Sequence, residues 1–143
     1  MKPLIKGKCK IRVATSFEDV AAAQALRYKA FSLTNGSGLD NDAFDDLCQH
    51  ILIEDLPTGK LICCFRILEL TDGSEITKSY SAQYYELSAL GSLSGKVLEL
   101  GRFCIHPEVR DPDVLRAAWG AMTSYVDKEG IEFLFGCVSF RGT

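Results

Sequence analysis

Charged side chains break into apolar stretches at Arg27, Arg66, Glu99 and Arg102, and Asp42 and Asp45 lie in an acidic segment between the first two. A guanidinium on an apolar face needs an acidic partner or a ligand, because an unpaired buried charge is costly. Groups of both signs arriving from separate elements suggest one cluster in a cleft, where protons can be moved and charged substrates held. The competing reading is a purely structural network of ion pairs. A second candidate chemistry is nucleophilic: Cys104 or Cys137 could carry a covalent group with His106 as base. No third residue is evident to orient His106, which precedes Pro107 at a strand end, so buried, inert thiols are the preferred reading.

These residues must be positioned by the elements around them. Ser16, with Asp19 three residues on, reads as a helix start in a variant capping box. The helix should run to about Phe31, with Val20, Ala23, Ala30 and Phe31 on one stripe and Arg27 among them. Thr34 to Asp42 reads as a loop, followed by a short acidic helix around Phe44. Ile51 to Leu56 and Lys60 to Leu70 form a hairpin about Pro57-Thr58-Gly59, the second strand apolar on both faces and so covered on both. Thr71 to Lys96, with Tyr80, Tyr84 and Tyr85, is long for a loop and reads as functional or as holding short elements of its own.

Val97 to Ile105 is the next strand. Positions 99 and 102 face opposite ways in a regular strand, and a bulge at Gly101 would turn both to one side. Asp111 can cap a helix that starts at Pro112, carries Leu115, Ala118, Trp119, Met122, Tyr125 and Val126 as its apolar stripe, and closes at Gly130. Ile131 to Phe140 is a last strand. The order strand, helix, short helix, hairpin, strand, helix, strand predicts an α/β (α+β) mixed sheet with helices packed on it.

Composition narrows the function classes. The chain has 143 residues and 16 Lys+Arg against 19 Asp+Glu, a formal net charge of −3. That suits a single domain with one core, and it argues against disorder and against a general nucleic-acid binder. No apolar run approaches the roughly 18–20 residues that span a bilayer, and Met1 to Lys10 has no secretory h-region. The six cysteines form no C-x-x-C, and neither His50 nor His106 has finger-like spacing to them, so no metal site is expected. All six read as reduced thiols of a cytoplasmic protein. Adjacent Cys63 and Cys64 should point to opposite faces of a strand. Lys2, Lys6, Lys8, Lys10 and Arg12 occur with no acid among them. They form either a solvated arm leading into a short strand near Ile11 to Ala14, the preferred reading, or a docking surface for an anionic partner or membrane.

Five segments then occur in order: LRYKAF (Leu26 to Phe31), DNDAFDDLCQHILIED (Asp40 to Asp55), FRIL (Phe65 to Leu68), LELGRFCIHPEVR (Leu98 to Arg110) and LFGCVSFRGT (Leu134 to Thr143). Together they resemble the hemolysin-like branch of the GNAT acyltransferase superfamily, which includes the ornithine N-acyltransferases of ornithine-lipid synthesis. The skeleton is also similar to that of the acyl-homoserine-lactone synthases, with Arg and Phe on the first helix, Asp-x-x-Asp, Arg on the third strand and Glu-x-x-Arg on the fourth. FDDLCQH, LELGRFCIHP and FGCVSF favour the ornithine branch. Nothing is amphipathic or apolar enough to form a pore, so a hemolysin name on relatives would mislead.

The resemblance implies a GNAT-like fold and transfer of a 3-hydroxy fatty acyl group from acyl carrier protein to the α-amine of ornithine, giving lyso-ornithine lipid. It implies no tightly bound cofactor, with the 4'-phosphopantetheine thioester of the carrier as donor substrate. Glu99 is then the candidate base, its alternative role being an ion pair with Arg102 or Arg66, and Glu99→Gln is expected to fold normally and lose most transfer. Gly101 lies where the superfamily's bulge offers an amide to the thioester carbonyl. Arg27, Asp42, Asp45, Arg66 and Arg102 match the charged cluster of the lactone synthases. Arg66 or Arg102 would hold the acceptor carboxylate, and Asp42 or Asp45 the side-chain ammonium or merely a tether of the first helix. Phe103, Cys104, Ile105 and Arg110 fall on the donor side.

Two departures qualify the resemblance. Arg110-Asp111-Pro112-Asp113 lacks the glycines of the usual pyrophosphate loop, which disfavours acyl-coenzyme A and favours a carrier-protein donor. The resemblance also implies further strands and a helix beyond Thr143, so residues 1–143 read as one domain shortened after its fifth strand. A lipid product implies peripheral contact with the inner face of the membrane. The alternatives are a lactone synthase, whose larger S-adenosylmethionine acceptor would need aromatic residues that Thr34 to Leu39 lacks, and a non-catalytic module that binds acyl carrier protein.

Overall fold

The structure, a computed structural model, describes residues 2–31, 40–83 and 85–136. The loop at 34–39, Tyr84, Cys137 and the end of the last predicted strand lie outside these residues.

The N-terminal segment corrects the expectation of a solvated arm. β1 (Leu4–Lys6) and β2 (Cys9–Val13) form an antiparallel hairpin, and Gly7 takes φ +58° at its turn, a conformation that costs glycine little. Alternation buries Cys9 and Ile11 and leaves Lys2, Lys6 and Lys8 exposed. α1 (Phe17–Phe31) begins as predicted, with the Asp19 amide donating to Ser16 Oγ at 3.1 Å. The Asp19 carboxylate is held by Arg12 at 2.8 Å, and Arg12 also reaches Glu54 at 2.9 Å. The start of α1 is thereby fixed against the sheet, and Arg12 is committed to the fold rather than to a docking surface.

β3 (Gln49–Asp55) and β4 (Leu61–Leu70) form the predicted hairpin; β5 (Lys96–Ile105) pairs antiparallel with β4 and β6 (Ile131–Gly136) parallel with β5. The result is a six-stranded mixed sheet in the order β1-β2-β3-β4-β5-β6, one strand more than the sequence reading anticipated. α2 (Pro112–Glu129) makes the crossover between β5 and β6, as a parallel pair requires. Asp111 caps its first turn and Gly130, at φ +67°, ends it. Among the described residues no helix is long and apolar enough to cross a membrane.

Each face of the sheet has its own cover. Ile11, Ile51, Ile53, Cys63, Phe65, Leu98 and Phe103 pack with Val114, Ala117, Ala118, Ala121, Met122 and Tyr125 of α2. The helix is rotated from its predicted stripe: Val114, Ala117 and Ala121 face inward, and Trp119 is half exposed. Leu52, Cys64 and Cys104 pack under Ala23 and Leu26 of α1. Cys63 and Cys64 thus do point to opposite faces, and the described cysteines are free thiols.

The long β4–β5 connection contains three short 3-10 turns, at Gly73–Lys78, Ser81–Gln83 and Ser88–Ser92. Leu87, Leu90 and Leu93 seat it on a cluster of Leu70, Ile76 and Val97. A Cβ at Gly73 would come within 2.0 Å of the Leu90 carbonyl oxygen. Gly73→Ala is therefore expected to destabilise the protein by about 1–3 kcal/mol, read as a lowered denaturation midpoint; an unchanged midpoint would show that the two turns are not locked together.

Candidate active site

Strand β5 carries the key local irregularity. Arg66 is opposite Gly101 and Cys64 opposite Cys104, so three steps along β5 match two along β4. The extra residue is a β-bulge, and Arg102 sits in it at φ +49°, in the left-handed region unusual for a side-chain-bearing residue. The bulge shifts the alternation by one position. Glu99, Gly101 and Arg102 consequently line one pocket, together with Tyr80, Ser81, Leu100, Phe103 and Phe31. Phe31, expected on the core stripe of α1, instead stands partly exposed at this pocket.

Glu99 is 4% exposed and does not take the ion pair considered for it. Its two carboxylate oxygens accept the Tyr80 and Ser81 amides, at 2.8 and 2.7 Å. Each oxygen keeps a second lone pair. Ser79 holds this turn from beneath, donating its hydroxyl to the Ile76 carbonyl at 2.7 Å and accepting the Ala82 amide.

The remaining charged residues form one connected network. Asp45, almost fully buried, accepts from both Arg27 Nη atoms at 2.7 and 3.2 Å, from Arg66 Nη1 at 2.9 Å, from Gln24 at 3.0 Å and from the Asp42 amide at 3.2 Å. Asp42 accepts from Arg66 at 2.6 and 3.0 Å and caps the 3-10 turn Ala43–Asp46 through the Phe44 amide. Arg27 also reaches Asp40 at 2.9 Å, and His50 Nε2 lies 2.9 Å from the Asp45 carbonyl.

Burial alone would raise the Asp45 carboxyl, but hydrogen bonds and charge from Arg27, with Gln24 and Arg66, hold it far below the usual carboxylate range. Asp42 is lowered in the same way, Arg66 outweighing its burial, and both buried guanidiniums are pushed up in return.

Arg66 and Arg102 differ in what they leave open. Arg66 is buried and engaged by short bonds. The Arg102 side chain is 27% exposed; its Nη2 is 3.4 Å from Asp42 and its Nε 3.7 Å from Asp40. Arg102 Nε is buried and makes no hydrogen bond. Both guanidiniums lie over the Tyr80 ring, 5.2 Å (Arg66) and 5.4 Å (Arg102) from its centroid, and Phe44 meets that ring edge-on.

The predicted donor-side residues are dispersed. Phe103 borders the pocket and stacks on Phe65 in the core. Cys104 is buried under α1 with its sulfur 3.4 Å from that of Cys64, Ile105 packs on the α2 side, and Arg110 is exposed in the loop before α2. His106 Nδ1 accepts the Glu108 amide at 3.1 Å, and burial, with Lys60 and Lys29 nearby, lowers its basicity. Burial pushes the half-buried Cys48 thiol up to about 11. Sequence reasoning missed Tyr80 and Ser81, whose contribution to Glu99 comes through main-chain amides and has no residue-type signature. It also passed over Asp40 as a partner of Arg27, although Asp40 stands in the acidic segment it singled out.

Comparisons with known proteins agree with the fold. Residues 26–120 match the family described as acetyltransferase (GNAT) domain. The L-ornithine N(alpha)-acyltransferase of Rhodobacter capsulatus is 34% identical over 93% of this chain and 57% of its own length. The enzyme of the same name from Brucella abortus is 31% identical over 95% of this chain and 54% of its own. The chain therefore spans about half the length of the curated relatives it matches. Among solved structures, the AHL synthase LasI superposes with a TM-score of 0.62 at 19% identity, over 88% of this chain and 70% of its own. FeeM, an N-acyl amino acid synthase from uncultured soil microbes, gives 0.63 at 14%, over 93% and 70%. The matched span takes in the end of α1, the arginines and aspartates of the charged network, the bulged strand and the first half of α2, and by that match the chain belongs to the GNAT acetyltransferase family.

Proposed function

We propose that this chain is an N-acyltransferase domain that moves a 3-hydroxy fatty acyl group from acyl carrier protein to the α-amine of ornithine, giving lyso-ornithine lipid. The observation that carries the reading is the placement of a carboxylate, a bulge and an under-committed guanidinium in one pocket: Glu99, Gly101 and Arg102. The names of the relatives from Rhodobacter and Brucella support the choice of acceptor.

In this reaction the neutral α-amine attacks the thioester carbonyl, the C–N bond forms, and the C–S bond breaks to leave the pantetheine thiol. Glu99 accepts the proton lost by the amine, directly or through one water, and returns it to the departing sulfur, which leaves as the thiol. The amides at the Gly101–Arg102 bulge stabilise the oxyanion. Arg102 takes the acceptor carboxylate, since Arg66 is already saturated by Asp42 and Asp45. Asp45 works as the tether of α1, and the partly exposed Asp40 and Asp42 face the second ammonium.

The start of α2 supports a carrier-protein donor. Pro112 has no N–H, the Asp113 amide is taken by Asp111, and two carboxylates stand where a pyrophosphate would need donors. The exposed Lys2, Lys6 and Lys8 would add to the attraction of an acidic carrier. Contact with the inner face of the membrane would follow from the lipid product.

The test is amide formation from 3-hydroxyacyl-carrier protein and ornithine, read by mass spectrometry, with acyl-coenzyme A or S-adenosylmethionine in parallel reactions. Product with the carrier-protein donor alone is expected, and absence of product from every combination with folded protein would defeat the reading. Arg102→Ala should raise the ornithine KM by about 10–100-fold with the denaturation midpoint held; an unchanged KM would remove Arg102 from acceptor binding.

A further inference from the structure

Tyr80 holds a position that the reaction scheme above leaves unused. Its main-chain amide binds Glu99 Oε1, and its ring lies 5.4 Å from the Arg102 guanidinium carbon. The two contacts join the proposed base and the proposed carboxylate-binding residue through one rigid side chain with two rotatable bonds.

Arg66 does not depend on that ring. Three hydrogen bonds to Asp42 and Asp45, at 2.6, 2.9 and 3.0 Å, fix its plane. Among the described residues Arg102 has the 3.4 Å bond from Nη2 to Asp42 and a 3.7 Å approach of Nε to Asp40, too long for a hydrogen bond. An aromatic face attracts the face of a guanidinium and leaves its N–H edge free. That edge is what a carboxylate engages in a two-pronged contact.

From this arrangement we infer that Tyr80 is a positioning and specificity residue, whose ring aims the open edge of Arg102 so that the site selects amines bearing an α-carboxylate over plain amines. The amide of the same residue sets where Glu99 stands. One residue therefore sets both where the base stands and where the carboxylate receptor is held. This inference rests on the acyltransferase reading given above and adds to it a source of acceptor discrimination.

The test compares ornithine with 1,4-diaminobutane, which keeps the two amines and lacks the carboxylate, using 3-hydroxyacyl-carrier protein as donor. Binding of ornithine is followed separately by calorimetry without donor. Tyr80→Phe keeps the ring and is the reference for the fluorinated series. Tyr80→Leu retains the backbone amide on Glu99; it should raise the ornithine KM about tenfold and lower the preference for ornithine over 1,4-diaminobutane by the same factor. Mono-, di- and trifluorophenylalanine at position 80 preserve the shape and weaken the ring's negative face stepwise, so the ornithine KM should climb with each fluorine even if the leucine variant does not fold.

A flat response to fluorination, or equal losses for both amines, would overturn the inference while leaving the acyltransferase reading intact. A wild-type protein that neither binds nor acylates ornithine would end that reading, and this inference with it.

Discussion

Glu99→Gln is expected to slow acyl transfer by about 10²–10⁴-fold, the usual contribution of a positioned general base. The glutamine side chain keeps the length and shape of Glu99 and removes the lone pair that takes the proton. The structure revises one part of the expectation drawn from sequence, that this variant folds normally. Both carboxylate oxygens accept a main-chain N–H, from Tyr80 and Ser81. In any rotamer a glutamine turns its NH₂ toward one of those donors, and an amide is then left without an acceptor. A stability loss of about 1–3 kcal/mol should accompany the loss of rate. Single-turnover rates and a urea denaturation curve, measured on the same preparation, separate the two effects. Near-wild-type turnover by the folded variant would remove Glu99 from the mechanism and leave it as a clamp for the β4–β5 connection.

Asp45→Asn should be the most damaging single change to the fold, costing about 3–5 kcal/mol because it strands buried charge. Arg27 and Arg66 are 1% and 2% exposed, and both direct guanidinium nitrogens at Asp45. An asparagine would offer one oxygen in place of two and point N–H groups at N–H groups. Against a typical total of about 5–15 kcal/mol, such a loss leaves little margin. The effect carries a pH signature. The folded Asp45 carboxyl lies below its unfolded value, so its contribution is complete above about pH 4 and is lost as the pH falls toward the folded value. The gap in stability between wild type and Asp45→Asn should therefore narrow on acidification. A gap that is constant with pH, or smaller than about 1 kcal/mol at neutrality, would mean that Asp45 is not the charge that holds these two arginines.

The parts of this architecture that were legible in the sequence are those with a periodic or punctuating signal. Ser16 and Asp19 marked the start of α1, Asp111, Pro112 and Gly130 bounded α2, and the doubly apolar run of β4 announced a covered strand. The N-terminal hairpin escaped because three-residue β1 is too short for its alternation to stand out among lysines. The stripe of α2 was rotated in the reading because Trp119 and Leu115 weigh more in a hydrophobic pattern than Ala117 and Ala121, although a close helix–sheet contact favours the small residues. At the site, the charged side chains could be named in advance, but their division of labour could not. That Asp45 is saturated, and that Arg102 keeps an unbonded Nε, are facts of three-dimensional partnership. The hold of Tyr80 and Ser81 on Glu99 is a main-chain property that any residue type could supply.

The bulge at Arg102 also divides β5 into two reading frames. From Lys96 to Gly101 the odd-numbered positions look toward α1, and from Arg102 to Ile105 the even-numbered ones do. Polar function and apolar core are thus written in different phases on one strand, and Arg102 and Phe103, neighbours in the chain, serve opposite layers. A one-residue deletion in the bulge would merge the frames. Register with β4 would then be kept on both sides of the gap, because the residue removed is the one that β4 does not match, and Glu99 would keep its face. Cys104 would likewise stay opposite Cys64. Such a strand can lose its extra residue and still pair along its length, yet it then presents one side chain fewer to the pocket. The separation of Glu99 and Arg102 is accordingly held by a count of residues, a quantity that ordinary point substitutions cannot alter.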